Sequence, residues 1–140
     1  DAMIPVARIE LGTGTSAFEA IAEMGGELGL VGGPQGGFHV FVTARFFELD
    51  PEGMNLRFDA THVDTGVNVG TPTVIRLVLA RTQREGDHFV RAGDILILDD
   101  GNPDNVRGLT LDVTVTAEEA GTGRSATDHR AILIVDNVSG

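Results

Sequence analysis

The sequence predicts an all-β sandwich of about seven to nine antiparallel strands with little or no helix, and three observations carry that prediction. Leu109 to Ala117 alternates apolar and polar residues almost without fault, which is the period of a strand with one buried face. Ala131 to Val135 is a second apolar run that can pair back on it as a closing hairpin. The 19 glycines and five prolines recur at intervals and cut the 140 residues into segments of strand length. A chain of this length makes one domain, residues 1–140, with room for a core of its own.

The elements follow in order. Met3 to Leu11 is the first strand, closed by the turn Gly12-Thr13-Gly14. Ser16 to Glu19 has the form of a helix capping box and Gly25 could end a two-turn helix, yet Glu27 to Val31 at once resumes an extended pattern. Helix and strand both stay open there. Phe38 to Leu49 is the strongest strand. Phe38, Val40, Val42, Ala44 and Phe46 share one face and His39, Phe41, Thr43, Arg45 and Phe47 the other, so it is central and partly covered on its outer side too. Asp50-Pro51-Glu52-Gly53 is a turn whose proline pre-sets the bend.

Asn55 to Asp64 returns with Leu56, Phe58, Ala60 and His62 on one face. Thr71 to Arg81 follows, with Ile75, Leu77 and Leu79 expected inward and Arg76 and Arg81 toward solvent. Glu85-Gly86-Asp87 is a hairpin turn, and Gly93-Asp94 interrupts the returning strand as a bulge or corner would. The acidic loop Asp99 to Asn105 leads into the last hairpin, turning at Gly121-Thr122-Gly123. This regular spacing is that of a β-sandwich, and the closing hairpin is that of an immunoglobulin-like one.

Composition narrows the partners. The chain carries 21 acidic residues against 10 arginines, no lysine and a net charge of −11. Such a surface repels nucleic acid and anionic membranes, and no stretch of about 20 apolar residues inserts into a bilayer. The absence of cysteine removes disulfides, zinc-thiolate sites and a thiol nucleophile. Asp1 in place of Met is expected of a chain that lost a leader or was trimmed.

Two stretches carry a resemblance. Val113 to Ala126 with its closing strand resembles the last two strands of bacterial immunoglobulin-like domains of exported proteins. Glu10 to Gly14, Phe18-Glu19, Glu27-Leu28 and above all Gly32-Gly33-Pro34-Gln35-Gly36-Gly37-Phe38-His39 resemble uncharacterised exported or lipid-anchored β-sandwich proteins of myxobacteria and related bacteria. The resemblance covers about half of the chain. It implies an exported location, in the periplasm, on the outer-membrane surface or outside the cell, and is compatible with a lipid anchor upstream of residue 1. In that group the segment after Phe18 is often extended, which favours strand over helix here.

Candidate chemistry is sparse. Asp100, Asn102 and Asp104 have the alternate oxygen-ligand spacing that opens a calcium loop, but Asn105 and Leu111 stand where that loop needs Gly and a bidentate Glu. The same residues also make ordinary tight turns. His39, His62 and His129 fall on separate segments and offer a weaker site for copper or zinc, with Met3, Met24 or Met54 as a soft partner for copper. His62 follows Leu56, Phe58 and Ala60 in register and His129 precedes Ala131, Leu133 and Val135, so both are expected at the ends of inward faces, and His88 is expected in solvent. Gly32 to His39 lacks the helix and the base of a phosphate loop, and reads as a sharp reversal.

Ser16, Ser125 and Ser139 have no nucleophile-elbow context, and there is no Cys or Lys nucleophile and no Tyr acid. The carboxylate pairs Asp99-Asp100 and Glu118-Glu119 are adjacent, so on a strand they point to opposite faces. No Trp or Tyr is present to stack on a sugar. The expectation is a non-enzymatic exported structural or interaction module with a protein partner or self-association, and no cofactor. The alternative is a metal-binding protein, holding calcium in the 99–105 loop or copper through His and Met.

Overall fold

The computed structural model describes residues 6–22, 25–32, 38–99 and 107–136. These form β1 (Arg8–Thr13), β2 (Glu19–Ala20), β3 (Gly26–Gly32), β4 (Phe38–Phe47), β5 (Asn55–His62), β6 (Thr73–Arg76), β7 (Gln83–Glu85), β8 (His88–Asp99), β9 (Thr110–Glu118) and β10 (Ser125–Asp136), with one 3-10 turn at Leu79–Arg81. The segment after Phe18 holds the short strand β2 and no helix among its described residues.

Two layers face each other. One runs β2-β1-β4-β8-β7 and the other β3-β10-β9-β5-β6. The orders 1-4-8-7 and 6-5-9-10 are those of an immunoglobulin-like sandwich. Every strand pair is antiparallel except β3 with β10, which is parallel. β3 also joins the layers, since Val31 and Gly32 pair with His39 and Phe38 of β4 while Gly26 to Leu30 pairs with β10. On the opposite flank the Thr71 amide donates to the Ile97 carbonyl at 3.0 Å and the Thr73 hydroxyl to the Ile95 carbonyl at 2.8 Å. Gly70 has φ +69° and passes so close to Ile97 that a Cβ there would meet its carbonyl. Both flanks are therefore stitched.

The strand register sets an upper end, with the turns at 48–54, 86–87 and 119–124, and a lower end, where β3 meets β4 and the 63–72 connection lies. The core lies between the layers. Val40, Val42, Ala44 and Phe46 of β4 face Leu56, Phe58, Val113, Val115, Ile132 and Ile134, all without solvent exposure. The two faces of β4 fall as the alternation requires.

β10 does not. Its inward residues are Ile132 and Ile134, in register with β9 through Ile132 opposite Leu111, so Ala131 and Leu133 turn outward and His129 with them. The segment after Thr71 is also shorter than expected. β6 ends at Arg76 and the chain turns at 79–81, which buries Leu77 but leaves Leu79 exposed.

The interruption at Gly93 is a bulge: Val42 pairs with Asp94 and Ala44 with Arg91, leaving Thr43 opposite two residues. Thr43 is fully buried although it sits on the outer face. Its hydroxyl donates to the Gly14 carbonyl at 3.1 Å and accepts from the Gly93 amide at 3.2 Å. Gly93 has φ +79°, and a Cβ would lie 2.5 Å from the Thr15 carbonyl oxygen. Gly93→Ala should therefore cost more than about 1 kcal/mol, seen as a lower urea midpoint at unchanged slope.

Candidate functional site

Among the described residues, those singled out for chemistry do not form one centre. Asp100, Asn102 and Asp104 lie outside the described residues. His39 is on the outer face of β4, where its ring meets Phe41 edge to face at 5.2 Å, and partial burial holds its pKa below the ordinary histidine value. His62 ends β5 with its Nδ1 buried and without a hydrogen-bond partner. His129 is on the outer face of β10, its side chain 68% exposed, with Nδ1 3.0 Å from Asp112. His62 and His129 line one surface cleft of about 410 Å³ with Asp112. No group of three or more His, Cys, Asp or Glu able to hold a metal occurs among the described residues, and Met54 is buried in the core. His88 departs from expectation too: its side chain is only 17% exposed, bonded to Asp87 at 2.9 Å and tilted against Phe47 at 4.9 Å.

At the upper end, adjacency sends Glu118 outward and Glu119 inward, as the alternation requires. Glu119 is 6% exposed. Its carboxylate accepts from the Asp50 amide at 2.6 Å, from the Thr122 hydroxyl, and from the Arg124 guanidinium at 3.2 and 3.3 Å. Arg124 in turn donates to the Glu48 carbonyl at 2.6 Å. The bonds from Arg124, Thr122 and Asp50 pull the Glu119 pKa to about 2. This cluster ties the 119–124 turn to the 48–54 turn and is structural. Arg91 grips Asp94 beside the bulge at 2.9 to 3.3 Å, which raises the arginine pKa.

The outer face of the β1-β4-β8 layer divides into two halves. Its upper half is covered: Arg45 pairs with Glu10 at 2.9 Å and stacks under the Phe18 ring at 4.2 Å, and Arg8 lies over Phe47 at 3.9 Å. Its lower half is open among the described residues. Ile95 and Ile97 stand beside Phe41 and His39 in register and are 41% and 38% exposed. The patch is apolar and uncharged on a chain of net charge −11.

A cleft of about 300 Å³ borders this patch, lined by Thr13, Gly14, Thr15, Glu19, Leu28, Gly29, Val31 and Phe41. It opens where β3 leaves β4. The two strands pair at Val31–His39, the next pair in register would be Gly29–Phe41, and by then β3 has turned to β10. β1 pairs with β4 only as far as Gly12–Thr43, so residues 40–42 of β4 have neither β1 nor β3 alongside. The Thr13 hydroxyl fills part of the gap by donating to the Phe41 carbonyl at 2.8 Å. Sequence patterning read Gly12-Thr13-Gly14 only as a turn, because the fork depends on where distant strands part.

No helix among the described residues is long and apolar enough to cross a membrane. No protein-family model matches the chain, and no curated protein matches it in sequence.

Proposed function

We propose that this domain works by contact, as a non-enzymatic exported module: a subunit of an envelope complex, a surface assembly or filament, or an adhesion domain. The observation that carries it is the open lower half of the outer face, where Ile95 and Ile97 flank Phe41 and His39 without a covering element among the described residues. A stable scaffold that leaves an apolar, uncharged strip on an otherwise acidic surface offers that strip to another protein. Export rests on the resemblance of Gly32 to His39 and of Val113 to Ala126 to exported sandwich domains.

The contact uses a face. The strands that end the hydrogen-bonded order, β2, β6 and β7, are two, four and three residues long, and edges that short are poor templates for pairing with another chain.

Native mass spectrometry on protein purified from its own cells tests this. An assembly is expected, with itself or with a partner, that is lost when Ile95→Asp and Ile97→Asp are combined. The β circular-dichroism spectrum should be kept, since both side chains point outward. A monomer in both forms would overturn the proposal. A bound calcium mass, with a higher melting temperature on adding calcium, would instead support a cation at Asp100, Asn102 and Asp104.

A further inference from the structure

We infer that the fork between β3 and β4 binds the free amino terminus of an extended peptide. This deepens the contact function proposed above by naming a partner class for an adjoining site.

Ladder alternation fixes which main-chain groups face the cleft. The Phe41 carbonyl accepts from Thr13 on the β1 side, so the odd-numbered residues of β4 direct their amides and carbonyls to that edge. On β10, Ile134 spends its amide and carbonyl on Leu109 and Gly108. Leu133 and Val135 therefore face β3 and bond to its even-numbered residues, which turns the amide and carbonyl of Gly29 the other way, into the fork. Gly29 and Phe41 would be the next bonded pair of the β3–β4 ladder, and the strands part before they meet. A main chain laid between them completes the ladder, which is how strand addition gains its affinity.

The lining sets the rest of the ligand. Val31 and Phe41 supply the outward apolar part of the lining, and Leu28, which turns to the core, lies at its floor. Among the described residues of the lining, Glu19 alone is charged, and it is exposed to solvent, so the complementary group is a cation. A peptide amino terminus supplies that cation and the main-chain donors and acceptors in one small unit. At about 300 Å³ the fork sits at the small end of ligand sites, and takes one or two residues in place of a folded partner.

The test is a titration of the isotope-labelled chain with the tripeptide Val-Ala-Ala, followed by amide chemical shifts. Saturable shifts centred on Thr13, Gly29 and Phe41 are expected. Acetylating the peptide, or changing Glu19→Gln, should each weaken binding about tenfold, the loss of one charge-assisted bond. Glu27→Gln, on β3 but outside the lining, should bind as the parent does. Absence of saturable shifts at millimolar peptide overturns the inference, as do shifts centred elsewhere or equal binding of the acetylated peptide. The result is independent of assembly, because Ile95→Asp with Ile97→Asp leaves the fork lining intact. Peptide binding by a parent chain that is itself a monomer would uphold the fork while the open face failed, and assembly without peptide binding would do the reverse.

Discussion

Phe46→Ala should remove about 3–5 kcal/mol of folding stability, among the largest losses expected from one substitution at the described residues. Phe46 has no solvent exposure and its ring stacks on Phe89 with centroids 5.8 Å apart. It projects inward from β4, which pairs with β1 and β8 at that level, so the surrounding backbone cannot close over the space left. A domain of this size has only about 5–15 kcal/mol in total, and the variant should lie near its unfolding threshold at physiological temperature. A urea midpoint far below that of the parent, at the same slope, is the expected reading. A shift equivalent to less than about 1 kcal/mol would mean that the two layers can slide together.

Glu119→Gln should cost about 2–3 kcal/mol. The amide loses the charge that the Arg124 guanidinium and the Asp50 amide are arranged to meet, and leaves a half-buried cation without its partner. The pH dependence has a definite sign. The folded pKa, about 2, lies below the ordinary 4.5, so the stabilisation is complete above about pH 4.5 and drains away as pH falls toward 2. In acid titrations followed by circular dichroism, parent and variant should therefore converge between pH 4.5 and 2. A gap that persists at pH 2 would show that the carboxylate's packing matters more than its charge.

Much of the fold is legible locally. β4 could be assigned with both faces because Val40, Val42 and Ala44 alternate with residues of different character, and the bulge was marked by a glycine that a positive φ requires. The register of β10 is not legible in the same way, because Ala131 to Val135 is apolar at every position and period two has no preferred phase. Only Leu111 across the ladder decides that Ile132 goes inward. Leu79 failed for a related reason: the 3-10 turn at 79–81 changes the period without glycine or proline to announce it.

Little of the candidate site could be read. The partners of Glu119 include Asp50, 69 residues away, and the fork at Gly29 and Phe41 exists because β3 abandons β4 for β10. Neither spacing nor composition encodes such distant meetings. The histidines follow the same rule: the register brings His62 and His129 to one cleft and leaves His39 apart on the outer face of β4, a division no motif records.

The parallel pairing of β3 with β10 also fixes how the molecule bears tension. β1 enters at the upper end and β10 leaves at the lower end, so a pull on the two ends of the described chain runs along the strands. β1 would have to slide lengthwise past β4, and β3 past β10, breaking many bonds at once instead of opening them one after another like a zipper. Under load this sandwich behaves as a shear clamp, suited to a link in a structure that is pulled.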